Sequence, residues 1–305
     1  MESNVKEAIN KKNSKKSMLI RLLIVGFVGI FLGVSLGIYY NSQRLDPNRY
    51  NFNVTELTDN VKPIKSEAQT KTPVELGAIK CCVLAFDTTF SCEKVEIIGV
   101  GLVKAMGVNQ TINAKTVRNG DKIFTENVSV SKFAKALNRY YFTNNELKHY
   151  TGTLNGKTVT WKTEADNIGS GAIKTMQEYK AKYGSTLNEY MTYIVSSKTV
   201  ISESPVTKDE DGNYVFTLTL DKSKSVVNYV KTMKDTGGLI DYPNFTSNPE
   251  ITVTMDSNYR ILKFVSKENY SVNVGITAKS VGTLTNTFNY DEDFVIPALT
   301  DKTTI

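Results

Sequence analysis

Apolar residues recur at two periods along this chain, and the switches between them mark its elements. Ile79, Cys82, Val83, Phe86 and Phe90 return at helical spacing, which predicts a helix over about 74–91. Strand-like runs follow at 95–106, 108–118 and 121–130, then a short helix near 131–142 with Phe133, Leu137, Tyr140 and Tyr141 on one side. Asn155-Gly156 stands between two alternating runs, 150–153 and 158–161. This is the strongest hairpin signal in the chain, because both residues accept the positive φ of a type I′ turn. A helix at 171–183 is expected to end at Gly184, followed by strands at 190–196, 198–205 and 213–220. The last is the cleanest, with Tyr214, Phe216, Leu218 and Leu220 alternating with Asn213, Val215, Thr217 and Thr219. Asp221 is placed to cap a helix running to about 235, stopped by Gly237-Gly238. Strands near 249–256, 259–268, 270–276 and 280–290 complete the pattern.

One segment obeys neither period. Residues 22–43 carry no charge, and a helix of that length reaches roughly 33 Å, enough for a hydrocarbon core of about 30 Å. Lys6, Lys11, Lys12, Lys15, Lys16 and Arg21 precede it, against Glu2 and Glu7, so residues 1–21 read as a cytoplasmic basic tail and the rest of the chain as extracytoplasmic. The sequence thus predicts a single-pass cell-membrane protein with the membrane as its partner through 22–43 and its C-terminal domain outside. A cleaved signal peptide is the competing reading, but its apolar core runs only about 7–15 residues. The polar stretch 44–72, with Pro47 and Pro63, reads as an extended stalk. Residues 73–297 form the folded domain, and 298–305 a C-terminal tail.

Within 73–297 the order helix, three strands, helix, hairpin occurs twice, dividing it into 73–168 and 169–297. Gly120-Asp121-Lys122-Ile123-Phe124-Thr125 runs parallel to Gly212-Asn213-Tyr214-Val215-Phe216-Thr217, as an old duplication would. Strands dominate and no regular β-α-β alternation appears, so the fold class is α+β with a curved antiparallel sheet. Its hollow is expected to be covered by the helices near 74–91 and 222–235. The alternative is two tandem α+β repeats, distinguished by whether strands of the two halves pair into one sheet.

Charge narrows the function. The net charge is +6, and the first 21 residues contribute six cations and two acids, or +4, which leaves +2 for everything beyond. A nearly neutral domain without a basic stripe has no electrostatic warrant for nucleic-acid binding. Cys81, Cys82 and Cys92 lack metal-ligand spacing and read as small apolar residues. His149 is the sole histidine, too few for a His-based metal site. Nucleophile-elbow and phosphate-loop motifs are absent, and Ser91…Lys94 and Ser129…Lys132 lack the companion motifs that would give Ser-x-x-Lys meaning. Asp209-Glu210-Asp211-Gly212 resembles part of a calcium loop, but Thr207 occupies the first ligand position, so it reads as a hairpin turn. No cofactor and no catalytic constellation follow from these residues.

What remains distinctive is aromatic content, 16 Tyr and 13 Phe. Tyr214, Phe216 and Leu218 from one strand, with Leu284, Phe288 and Tyr290 from another, are the candidate lining of a concave surface suited to a lipid or other amphipathic ligand. The layout of Gly99–Ser131, with Gly120-Asp121 leading to the next element, resembles the strand series of the LolA/LppX-like half-barrels that carry lipoproteins and lipids. Tyr179-Lys180-Ala181-Lys182-Tyr183-Gly184 is similar to a string in uncharacterised membrane-anchored surface proteins of Gram-positive or wall-less bacteria. The resemblance implies a non-catalytic binding module. The carriers are soluble or lipidated, whereas this chain has a membrane segment, so ligand holding is implied more than shuttling. The rival readings are an envelope-polymer hydrolase with an unrecognised acid pair, and a purely structural or adhesive surface domain.

Overall fold

A computed structural model describes residues 50–132, 135–143, 146–162, 175–183, 193–236, 239, 241–273, 277–290, 294–298 and 301–305. The expected membrane segment 22–43 and basic tail 1–21 lie outside these residues. Among the described residues no helix is long and apolar enough to cross a membrane.

Residues expected to form an extended stalk instead begin with two short helices, α1 (Val54–Leu57) and α2 (Val61–Ala68). Asn53 and Asn60 cap them, and Pro63 falls in the first turn of α2, where its missing N–H costs nothing. Leu57 and Ile64 are buried, so the segment packs rather than spans. The helix expected over 74–91 is split by Gly77, at φ 84°, into α3 (Pro73–Leu76) and α4 (Ala78–Ser91). A glycine has no side chain to cap α4, and Glu203 supplies the missing acceptor, its Oε2 receiving the Ile79 N–H at 2.9 Å.

From α4 the chain runs through a meander of β1 (Lys94–Ala105), β2 (Val108–Asn119), β3 (Lys122–Ser131), β4 (Lys135–Thr143), β5 (Glu146–Asn155) and β6 (Thr158–Trp161). The Asn155-Gly156 hairpin is where the pattern put it, with Gly156 at φ 61°. The short helix expected near 131–142 is instead β4, paired with both β3 and β5. The helix expected at 171–183 is α5 (Met176–Tyr183) in its described part. Then come β7 (Val200–Glu203), β8 (Thr207–Lys208), β9 (Tyr214–Leu220), α6 (Val227–Thr236), β10 (Asn244–Phe245), β11 (Glu250–Met255), β12 (Ile261–Asn273), β13 (Thr277–Asn289) and, at the C-terminus, β14 (Thr303–Thr304). The expected strands 259–268 and 270–276 are one continuous strand, β12.

All pairings are antiparallel, and the order is β14-β6-β5-β4-β3-β2-β1-β13-β12-β11-β9-β7, with β8 on β9 and β10 on β12. The β1–β13 ladder, Glu96↔Asn289 through Ala105↔Ser280, joins the two halves into one sheet. Separate tandem domains are thereby replaced by a single curved, half-barrel-like sheet. Gly99 and Gly101 on β1 and Gly282 on β13 lie at this seam. A Cβ at Gly99 would meet Asn286 Oδ1 at 2.7 Å, and one at Gly101 would meet Leu284 Cδ1 at 3.0 Å. Side chains of β13 lean into the space the glycines leave, the close approach a bent strand requires.

The register divides the sheet into two faces. On the inner face Phe264, Asn286, Gly99, Ala114, Asn127 and Asn138 fall in one cross-strand row. Helices α4 and α6 cover this face over β9, β11 and β12, where Phe216, Leu218, Ile251, Val253 and Phe264 pack with Cys82, Leu84, Ala85 and Val230. The outer face is closed elsewhere: residues 294–298 and 301–305 lie back over β2–β6, placing Phe294 against Val117 and Phe124 and Ile305 against the cluster of Val128, Leu137, Val159 and Trp161.

Candidate functional site

The six aromatic and aliphatic residues expected to line a ligand surface are parts of the core and its margin. Phe216, Leu218 and Phe288 are buried and belong to the main apolar cluster beneath the helices. Tyr214 and Tyr290 are half-buried against the same cluster. The Tyr290 hydroxyl donates to the Ile261 carbonyl at 2.7 Å and lies 3.2 Å from Thr89 Oγ1, tying the end of α4 to the sheet. Leu284 alone is half-buried on the open part of the floor, opposite Gly101 and Ser266.

That floor is the inner face across β13, β1, β2 and β3. Leu284, Ile112, Ala114, Thr116 and Thr125 are only half-buried there, and Asn127 is exposed. Farther along, His149 stacks on Tyr140 with centroids 4.4 Å apart, and its Nε2 lies 2.9 Å from Asn138 Oδ1. Burial holds the His149 pKa below its ordinary value. With that stacking and hydrogen bond it is a seated strand residue, as its isolation in the sequence suggested.

At the closed end of the hollow lies a group the sequence reading passed over. Glu268, on the inner face of β12, is 6% exposed. Tyr193 donates to its Oε2 at 3.1 Å and Tyr229, from α6, donates to its Oε1 at 3.0 Å. Burial pushes its pKa up to about 7, and the two hydroxyls, which favour the charged form, hold it from rising further. Among the described residues no cation pairs with it. Its two phenols belong to a chain of rings: Tyr193 and Tyr229 are 5.6 Å apart, Phe245 is 6.0 Å from Tyr229 and 5.6 Å from Tyr270, and Phe264 is 6.4 Å from Tyr193. Two residues along, Ser266 Oγ is buried without a hydrogen-bond partner, as are both amide atoms of Asn228. An unpaired buried polar atom costs about 1–3 kcal/mol, so this end is not finished as an ordinary core. The signal in the sequence was an acid on the inner side of an alternating run, Phe264-x-Ser266-x-Glu268-x-Tyr270.

Other polar clusters have structural work. Glu126 and Arg139, adjacent on β3 and β4, form a buried ion pair on the outer face. The Arg139 guanidinium sits 4.4 Å from the Trp161 ring centroid and 5.1 Å from that of Phe124. It also donates to the Ala298 and Asp301 carbonyls, while Thr303 Oγ1 donates to Glu126 and accepts from Trp161. A cleft of about 390 Å³ opens between α2, α3, α4 and β7. Its acids are all engaged in holding those elements together. Asp59 accepts from the Ser197 N–H and hydroxyl, Glu67 from Lys71 and Lys80, and Glu203 from Ile79. Asp209 accepts from the N–H groups of Asp211 and Asn213, the expected hairpin turn. Cys81 and Cys82 are fully buried, and burial pushes the Cys81 thiol up to about 12, which leaves it unreactive. Among the described residues no group of His, Cys, Asp and Glu is arranged to hold a metal.

No protein-family profile and no curated protein matches the chain. Among solved structures, it is similar to a DUF1329 family protein from Desulfovibrio piger, at 11% identity over 74% of this chain and 96% of the other, with a TM-score of 0.25. A domain named for outer membrane lipoprotein sorting, from Vibrio parahaemolyticus, aligns at 10% identity over 73% of this chain and 95% of its own, with a TM-score of 0.23. A de novo designed transmembrane β-barrel aligns at 4% identity over 65% and 98%, with a TM-score of 0.19. Scores this low carry no functional argument, and the architecture rests on the strand pairing itself.

Proposed function

We propose that this chain is a non-catalytic binding module, anchored at the outer side of a membrane by residues 22–43, that holds a lipid or other amphipathic ligand in the hollow of its sheet. The supporting observation is the uneven cover of the inner face. Helices α4 and α6 seal it over β9–β12, yet the adjoining floor from Leu284 to Asn127 is partly accessible and mixes apolar with polar side chains. An amphipathic molecule meets both kinds of surface there. The proposed surface includes Leu284 and adjoins the other expected residues, of which Phe216, Leu218 and Phe288 pack in the core.

The test is lipid extraction and mass spectrometry of the full chain, purified from its own host in a neutral detergent, beside the floor variant Ala114→Trp. A stoichiometric mass carried by the natural chain and lost from the variant supports ligand holding. Equal detergent-exchangeable lipid on both proteins, the amount any membrane helix retains, would overturn it.

A further inference from the structure

We propose that the ligand's head group is an organic cation, such as an ammonium, bound at the closed end of the hollow with Glu268 as its counter-ion beside the rings of Tyr193, Tyr229 and Tyr270. This rests on the ligand-holding reading and names the chemistry of that same site.

Among the described residues two carboxylates are buried, those of Glu126 and Glu268. Glu126 is paired with the guanidinium of Arg139, which itself lies over the rings of Phe124 and Trp161. Carboxylate, cation and ring faces make a complete set, in which the attraction of ring quadrupole and anion for the cation offsets its desolvation. Glu268 is as deeply buried, yet among the described residues its partners are the hydroxyls of Tyr193 and Tyr229. The cation is the missing member. Ser266 Oγ, buried and unpartnered on the next inner position, adds an acceptor for an ammonium N–H.

Access follows from where the two tyrosines reside. Neither belongs to the sheet, Tyr193 preceding β7 and Tyr229 belonging to α6, so turning the two side chains away from the carboxyl breaks no ladder. Leu284, cross-strand from Ser266, then leads from the head-group site onto the half-open floor, where an alkyl chain would lie. The titratable groups facing Glu268 are the phenols of Tyr193, Tyr229 and Tyr270. Those of Tyr229 and Tyr270 are pushed up by burial, so the carboxyl is the group that titrates near neutrality.

The experiment measures binding of hexadecylammonium, hexadecanol and hexadecanoate to the full chain in maltoside micelles, for the natural protein and Glu268→Gln. The natural protein is expected to prefer the ammonium by about ten-fold or more, and Glu268→Gln to lose that preference while still binding the alcohol. The natural protein alone supplies a second measure. Its ammonium affinity should fall by about ten-fold from about pH 8 to about pH 5.5 as the carboxyl is protonated, while alcohol binding stays flat. A preference that survives in Glu268→Gln, or ammonium affinity that is flat with pH, overturns the cationic head group and leaves ligand holding standing. Binding of none of the three probes overturns both.

Discussion

The two halves of this sheet are built alike and closed on opposite sides. In β9, β11 and β12 the large apolar residues point inward, Phe216, Val253 and Phe264 lying in register, and helices α4 and α6 complete the core. The outer face there carries Thr217, Thr252 and Lys267 and has no cover among the described residues. In β2–β5 the large residues Val117, Phe124, Val128 and Leu137 point outward instead, and the C-terminal segment closes over them. The inner face of that half carries Ala114, Thr125, Asn127 and Asn138 in its middle, with Tyr140 and Phe142 farther along β4. One sheet therefore changes the side of its core partway across, at the Gly99, Gly101 and Gly282 seam. A period of two gives each strand a choice of faces, and which one becomes core is decided by where bulk is placed. The inner face of that half is the one with half-buried and exposed positions.

Breaking one cover should leave the other intact, and the largest effect is expected at Arg139. Removing one partner of a buried pair leaves an uncompensated charge, so Arg139→Ala should cost about 3–5 kcal/mol. It should also free residues 294–305 for limited proteolysis, because the guanidinium holds the Ala298 and Asp301 carbonyls. Phe264→Ala, in the other core, should cost a similar amount, about 3–5 kcal/mol, through the cavity it leaves. In that variant the C-terminal segment should stay protected. Thermal unfolding of the full chain with proteolysis of the tail checks both, and a Phe264→Ala protein with a cleavable tail would contradict two independent covers.

The next effect sharpens the difference between the carboxylates. Glu268 has an ordinary carboxyl pKa near 4.5 when unfolded and about 7 when folded, so folding favours its protonated form. The stability this supplies is fully present below about pH 4.5, falls as pH rises towards about 7, and is flat beyond. The difference amounts to roughly 3 kcal/mol. Urea midpoints from about pH 5 to about pH 8 should decline for the natural chain and lose most of that slope in Glu268→Gln. An unchanged slope in the variant would assign the pH dependence elsewhere.

Legibility in the sequence followed from how cleanly each strand keeps one face wet. The alternation of β9 was readable because Val215, Thr217 and Thr219 face outward without cover. Strand β4 was not, because both its faces are occupied: Leu137, Arg139 and Tyr141 pack outward while Asn138, Tyr140 and Phe142 face the hollow. With alternation erased, Leu137, Tyr140 and Tyr141 fell by chance on a helical stripe. The same effect cut β12 in two at Glu268-Asn269, since a buried acid looks like a loop residue. The half-barrel layout was legible from strand count and hairpin spacing. The candidate site was not, because its central residue breaks the pattern that marks a strand.

The smallest effects test whether the halves are alike where the sequence says so, at the turns entering β3 and β9. Gly120 and Gly212, 92 positions apart in the parallel strings, adopt φ of 61° and 80°. Nothing lies within 4 Å of a Cβ built at either position, so a side chain meets no obstacle and only the backbone conformation is penalised. Gly120→Ala and Gly212→Ala should each cost about 1 kcal/mol, the price of holding an L-residue in the left-handed region. The two values should agree, because a Cβ meets nothing at either glycine, even though Asn119 beside Gly120 donates to the Phe294 carbonyl of the C-terminal cover. Asparagine tolerates this region better than alanine, so Gly120→Asn and Gly212→Asn should recover part of the loss. Unfolding midpoints of the four variants decide the matter. A Gly212→Ala cost several times that of Gly120→Ala would mean that one turn bears strain from its surroundings, and that their likeness stops at the sequence.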